Sequence, residues 1–155
     1  MNYQKIQSEI LKALCKGNVS SVLRDLVESE DGEKIYLVYG SGSHFLVLDK
    51  DIFFLDLKNK FTGNTGKVIQ NIIKGADNAE VGQKTNHIEY IPAIKGNAVF
   101  LKSEKYEVLV DEKILKNFDK DCKFYLSGDR SPIYVYEGLD NLAGVVLPLE
   151  RKKEG

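Results

Sequence analysis

Histidine and cysteine are both scarce in this chain, with two of each among 155 residues. His44 and His87 have no second histidine, cysteine or carboxylate at ligand spacing, so the sequence holds no pattern for a metal. Cys15 and Cys122 lie far apart, each among apolar neighbours, and read as two reduced, buried thiols rather than a disulfide. A continuous apolar run of about 18 residues is missing, as is a charged-then-apolar leader. Neither a membrane span nor a secretory signal is therefore expected, and the chain reads as cytoplasmic. An excess of positive charge is also absent. With 22 Lys and Arg against 23 Asp and Glu, any contact with nucleic acid must come from a local patch.

The familiar ligand loops are incomplete. Gly63-Asn64-Thr65-Gly66-Lys67-Val68 sets its glycines too close for a phosphate loop and puts valine where a hydroxyl is needed, so it reads as a helix N-terminus with a flexible lead-in. Gly40-Ser41-Gly42 lacks the third glycine of a dinucleotide site and falls between strands. Asp49 and Asp51 begin like a calcium loop, but Ile52-Phe53-Phe54 follows where oxygen ligands are required. Ser41 or Ser43 beside His44 imitates a nucleophile and base, yet neighbours on a strand point to opposite faces. No cofactor is expected and no enzyme site assembles, which leaves a binding or assembly protein.

What is present is alternation of helices with strand groups. Tyr3, Ile6, Ile10 and Leu14 predict a helix over 3–16 that Gly17-Asn18 ends. Val22, Leu23 and Leu26 fit a helical turn capped by Ser20 or Ser21. Residues 34–39, 44–48 and 52–57 predict three strands in an antiparallel meander, apolar enough to be covered on both faces. Val68, Ile69, Ile72 and Ile73 stripe a second helix from Thr65, and 78–93 is hard to read apart from a strand at 89–91 before Pro92. Residues 99–101 and 106–110 predict a hairpin. Ile114, Leu115 and Phe118 then stripe about two turns of a third helix. Strands over 124–126, 133–136 and 145–149 follow, separated by Ser127-Gly128-Asp129 and Glu137-Gly138. The expected class is α+β, antiparallel sheets with three amphipathic helices packed on one face, in a single domain over 1–151 with a charged tail at 152–155.

The segment from Asp111 to Arg151, DEKILKNFDKDCKFYLSGDRSPIYVYEGLDNLAGVVLPLER, resembles the C-terminal end of bacterial DNA polymerase sliding clamps. That family has an apolar helix, a strand, a loop ending in Ser-Pro, a strand, and a last strand closing on a Met-Pro-Met-Arg-like tail. Ser131-Pro132 and Leu147-Pro148-Leu149 stand at the matching places, although Glu150 intervenes before Arg151. The resemblance implies a clamp-like, non-enzymatic DNA-replication accessory or binding module, with a phage or mobile element as its setting. It implies homo-oligomeric assembly, a replication protein as partner, and a partner pocket from Leu147, Pro148 and Leu149, with Val145 on the same strand face. In clamps the helices line the hole through which DNA passes. Lys5, Lys12, Lys16, Lys67, Lys74, Lys113 and Lys116 on the three helices would then touch the DNA backbone non-specifically. Tyr125, Tyr134 and Tyr136 suit either an interface or a core. The alternative is an α+β protein–protein interaction or assembly protein with no nucleic-acid role.

Overall fold

The computed structural model describes residues 1–40, 42–57 and 60–150; Ser41, Arg151 and the charged 152–155 tail lie outside these. Helix α1 spans Tyr3–Cys15 and is capped by Asn2, whose side chain accepts from the Lys5 amide at 3.1 Å. Ile6 and Ile10 are fully buried, whereas Leu11 beside them is half exposed. The segment read as a helical turn is instead a short 3-10 turn, Val19–Ser21, followed by strand β1 over Leu23–Glu28. Val22, Leu23 and Leu26 satisfy either period, and pairing with the next strand decides for the extended form.

Strands β2 (Lys34–Tyr39) and β3 (His44–Asp49) form the expected hairpin. Their alternate residues serve two different cores. Ile35, Leu37, Leu46 and Leu48 enter a large inner cluster, while Tyr36, Phe45 and Val47 enter a smaller outer one. The third predicted strand does not form. Lys50–Ile52 is a 3-10 turn, and 53–57 runs outside any strand, because the free edge of β3 is taken by another partner.

Helix α2 spans Gly66–Lys74, β4 Glu80–Ile91, β5 Gly96–Lys102 and β6 Glu107–Asp111. The unreadable stretch is thus one 12-residue strand that Pro92 stops. A bulge between Lys84 and Ile88, with Thr85 donating to the Phe100 carbonyl at 2.9 Å, breaks its alternation. Helix α3 is a single turn, Glu112–Leu115, shorter than predicted, yet Ile114, Leu115 and Phe118 are all buried as the stripe required. Strands β7 (Lys123–Leu126), β8 (Ile133–Glu137) and β9 (Asn141–Val146) complete the set, and β9 is the strand that displaces 53–57 from β3.

All nine strands join antiparallel in the order β1-β2-β3-β9-β8-β7-β4-β5-β6. The inner cluster takes residues from β2 at one side and β6 at the far edge, so the ribbon curls around it. Gly144 makes the central approach. A side chain there would meet Phe118 at 2.8 Å and the Phe45 carbonyl at 2.9 Å, so only glycine lets Phe118 seat on β9. After β9 the chain crosses the curl, with the Leu147 amide donating to Ser43 at 2.8 Å and Leu149 to Leu109 of β6 at 2.7 Å.

The helices do not share one face. α1 and α3 both pack into the inner cluster, and the start of α1 meets the residue group just after α3, the Asn2 amide donating to the Asn117 carbonyl at 2.9 Å and Lys5 Nζ to its side chain at 3.0 Å. α2 covers the outer cluster through Ile69, Ile72 and Ile73, and Val68 from the predicted stripe points to solvent. Both ends of α2 are tied down. Tyr134, 2% exposed, donates its hydroxyl to the Ile72 carbonyl at 2.5 Å. At the other end the Asp25 carboxylate, 3% exposed, accepts from the amides of Leu26, Gly63 and Thr65 and from the Thr65 hydroxyl at 2.7–3.0 Å. Burial pushes this carboxyl up, and the hydrogen bonds from Thr65, Gly63 and Leu26 together more than offset it, so its pKa lies below the ordinary value.

Asp25→Ala is expected to cost about 3 kcal/mol, since several buried donors lose their charged acceptor, measured by urea unfolding. Because the folded pKa is depressed, this contribution is complete above the unfolded carboxylate pKa and lost as pH falls through the folded one. Asp25→Asn should flatten that acid limb.

Candidate partner-binding surfaces

Lys5, Lys12 and Lys16 recur at spacings that put them on one stripe of α1. Glu9 shares the stripe and approaches Lys5 to 3.9 Å. Lys113 and Lys116 extend from α3 on the same side of the sheet, with Lys116 at 3.9 Å from Glu112. Lys67 and Lys74 are exposed on α2 and therefore lie across the sheet from the other five. The seven lysines make two surfaces.

The four tail residues also separate. Val145 is buried under α2 with Tyr134, Phe45 and Val47. Leu147, beyond the end of β9, is 41% exposed, and Pro148 is half-buried. Leu149 seats on a third cluster formed by Ala98, Phe100 and Leu109. Strand alternation had placed Val145, Leu147 and Leu149 on one face. It fails because β9 ends at Val146 and the chain turns toward β6. Of the three tyrosines, Tyr134 is core, and Tyr125 and Tyr136 are half-buried with rings packed edge to face at 5.2 Å.

The glycine-rich lead-in to α2 is not open to a phosphate. Its amides at Gly63 and Thr65 already bind an anion, the Asp25 carboxylate. Ser43 precedes β3 rather than lying within it, so strand alternation does not govern it, and its Oγ sits 2.9 Å from His44 Nδ1. Ser41 lies outside the described residues. His44 stacks on Tyr39 with ring centroids 4.2 Å apart, and His44 Nε2 and the Tyr39 hydroxyl are both buried without a hydrogen-bond partner. Burial, and then the Lys5 charge, push His44 down to about 4. An imidazole held so far below neutrality is a poor general base for Ser43.

Neither cysteine is fully buried. Cys15 is exposed at the end of α1, on the side of the last turn away from buried Ala13 and the packed Leu14, and Cys122 is half-buried. Burial and the carboxylates of Glu137, Asp119 and Asp121 push the Cys122 thiol up to about 11, which leaves it unreactive. Among the described residues no three His, Cys, Asp or Glu side chains cluster at a metal-binding distance, and no helix is long and apolar enough to cross a membrane.

One surface escaped the sequence reading. β7 pairs with β4 only from Phe124 to Leu126 against Glu80 to Gly82. Beyond Gly82 the two strands part, leaving a groove of about 950 Å³. Gln83, Lys84, Lys123 and Phe124 line it together with Leu115 and Phe118. No periodicity signals it, since it exists only where two distant strands diverge. No protein family, curated protein or solved structure matches this chain.

Stability should fall as pH drops from about 6.5 toward about 4, because the unfolded chain binds a proton that buried His44 refuses. The expected loss is up to about 3 kcal/mol, and thermal unfolding of His44→Gln across that window should lack it. Leu149→Ala, removing a half-buried contact, is expected to cost about 1 kcal/mol in urea unfolding.

Proposed function

We propose that this protein is a non-enzymatic, sliding-clamp-like module that tracks along DNA, contacting the phosphate backbone through α1 and α3. The observation that carries this reading is that both helices pack against the same inner cluster and touch at Asn117. The stripe of Lys5, Lys12 and Lys16 and the neighbouring Lys113 and Lys116 then offer weak, sequence-independent phosphate contacts. Helix α2 is the addition to a clamp plan. It covers the opposite face, so Lys67 and Lys74 take no part. The tail reading narrows to Leu147, Pro148 and Leu149, since Val145 is beneath α2. Encirclement of DNA requires assembly of several copies, with a replication protein as the further partner. The cellular setting is cytoplasmic, in a phage or mobile element.

The near balance of charge favours the second reading, an assembly protein with no nucleic-acid role. Retention on duplex DNA separates the two. Log affinity should fall linearly with log salt, with a slope of about 0.9 per phosphate contacted. Replacing Lys12, Lys16 and Lys116 by glutamate should abolish retention, while Lys67→Glu with Lys74→Glu should leave it intact. Equal loss from both sets, or no retention at low salt, would remove the clamp reading, as would a strictly monomeric mass at the concentrations where DNA is held.

A further inference from the structure

We propose that the split between β4 and β7 is a docking groove for an extended, acidic segment of a partner protein, which continues the β4 ladder where β7 leaves it. The backbone supplies the first argument. At Gln83 and Lys84, the β4 residues past the β7 pairing that line the groove, β4 pairs with β5 on one side and, among the described residues, with no strand on the other, so this short stretch forms an edge ready for another strand. The floor supplies the second. Leu115, Phe118 and Phe124 line the split with the small part of their apolar surface that the core leaves uncovered, which suits contact with an apolar side chain of an extended chain. A volume of about 950 Å³ takes several residues.

Charge then selects the occupant. Lys84, Lys116, Lys120 and Lys123 ring the groove against Glu112 and Asp119. Asp119 is already held by the Met1 ammonium at 2.5 Å, and Glu112 faces Lys116. The remaining field is positive, which draws a carboxylate-bearing segment. A nucleic acid would engage the lysine rim but gain nothing from the apolar floor or the open strand edge. The proposal does not depend on the DNA reading, because Lys84 and Lys123 lie on β4 and β7 rather than on α1 or α3.

The test uses a short fluorescein-labelled peptide of alternating valine and glutamate, followed by fluorescence anisotropy with the full chain. Saturable binding is expected, weakened at least about tenfold in Lys84→Glu with Lys123→Glu. Both side chains are exposed, and an unchanged melting curve will show that the variant folds. A valine–lysine peptide should not bind, and methylation of alternate backbone amides in the acidic peptide should abolish binding. Lys12→Glu with Lys16→Glu should leave peptide binding unchanged, so that failure of the DNA reading and failure of this one are told apart. The proposal is overturned if the acidic peptide does not bind, if binding survives the paired Lys84 and Lys123 change, or if it survives backbone methylation. It is also overturned if a single-stranded oligonucleotide binds through Lys84 and Lys123 where the peptide does not.

Discussion

A carboxylate buried to 3% exposure must find donors or lose its charge, and the outer half of this structure is arranged around the donors that Asp25 finds. Leu26 is its neighbour on β1, but Gly63 and Thr65 lie about forty residues on, at the start of α2. Meeting them fixes where the lead-in crosses β1 and where the helix begins. The register of β1 against β2 slips between Leu23 and Asp25, the place where the side chain turns inward. With its first turn fixed there and the Ile72 carbonyl of its last turn held by Tyr134, α2 has one orientation across Tyr36, Phe45, Val47 and Val145. The helix needs both ties. At nine residues it would be marginal alone, and only Ile69 of its stripe is fully buried.

Covering the outer face with α2 determines what the inner face can do. β2 and β3 are apolar on both sides, so each face needs its own cover. α1 and α3 divide the inner side, and Gly144 lets Phe118 reach the sheet centre between them. The lysines sort accordingly. A basic helix face counts toward a phosphate surface only if its neighbours are on the same side of the sheet, and burial, not charge, decides that.

Legibility followed the same physics. β2, β3, β5 and β6 were readable because their apolar runs are short and bounded by turns. The 53–57 segment has an equally good strand composition and failed because β9 competes for the same edge of β3, a contest that no local pattern records. β4 was obscure for a different reason. Its bulge at Lys84–Ile88 resets the alternation midway, and Val81, Ile88 and Tyr90 are apolar yet exposed. Asp25 was invisible because a lone carboxylate in a short segment read as a helical turn ordinarily means solvent, and its partners Gly63 and Thr65 are distant in sequence. The stretch Gly63–Gly66 reads as a helix N-terminus and not a phosphate loop, but nothing local signals that its amides bind the Asp25 carboxylate. The lysine-bearing helices were found from sequence; the groove was not, because it arises from the divergence of β4 and β7.

The tail ties these threads to the partner question. In a continuing β9, Val145, Leu147 and Leu149 would line one face and form one surface. The chain instead leaves the ladder at Val146, because beyond it β8 begins its loop and β3 has reached the Gly42 turn, so neither neighbour extends to pair with it. Leu149 therefore crosses to β6 and covers Phe100 and Leu109, a site that the curl brings within reach. This placement gives the tail a structural duty at the edge of the ribbon before any partner is considered. A ligand seeking Leu149 must compete with that contact. Among Val145, Leu147, Pro148 and Leu149, Leu147, 41% exposed and bonded through its backbone to Ser43, is the side chain that a partner reaches without unseating the fold. Any pocket built here centres on Leu147, while the wider groove beside β4 offers its apolar floor with no such competition.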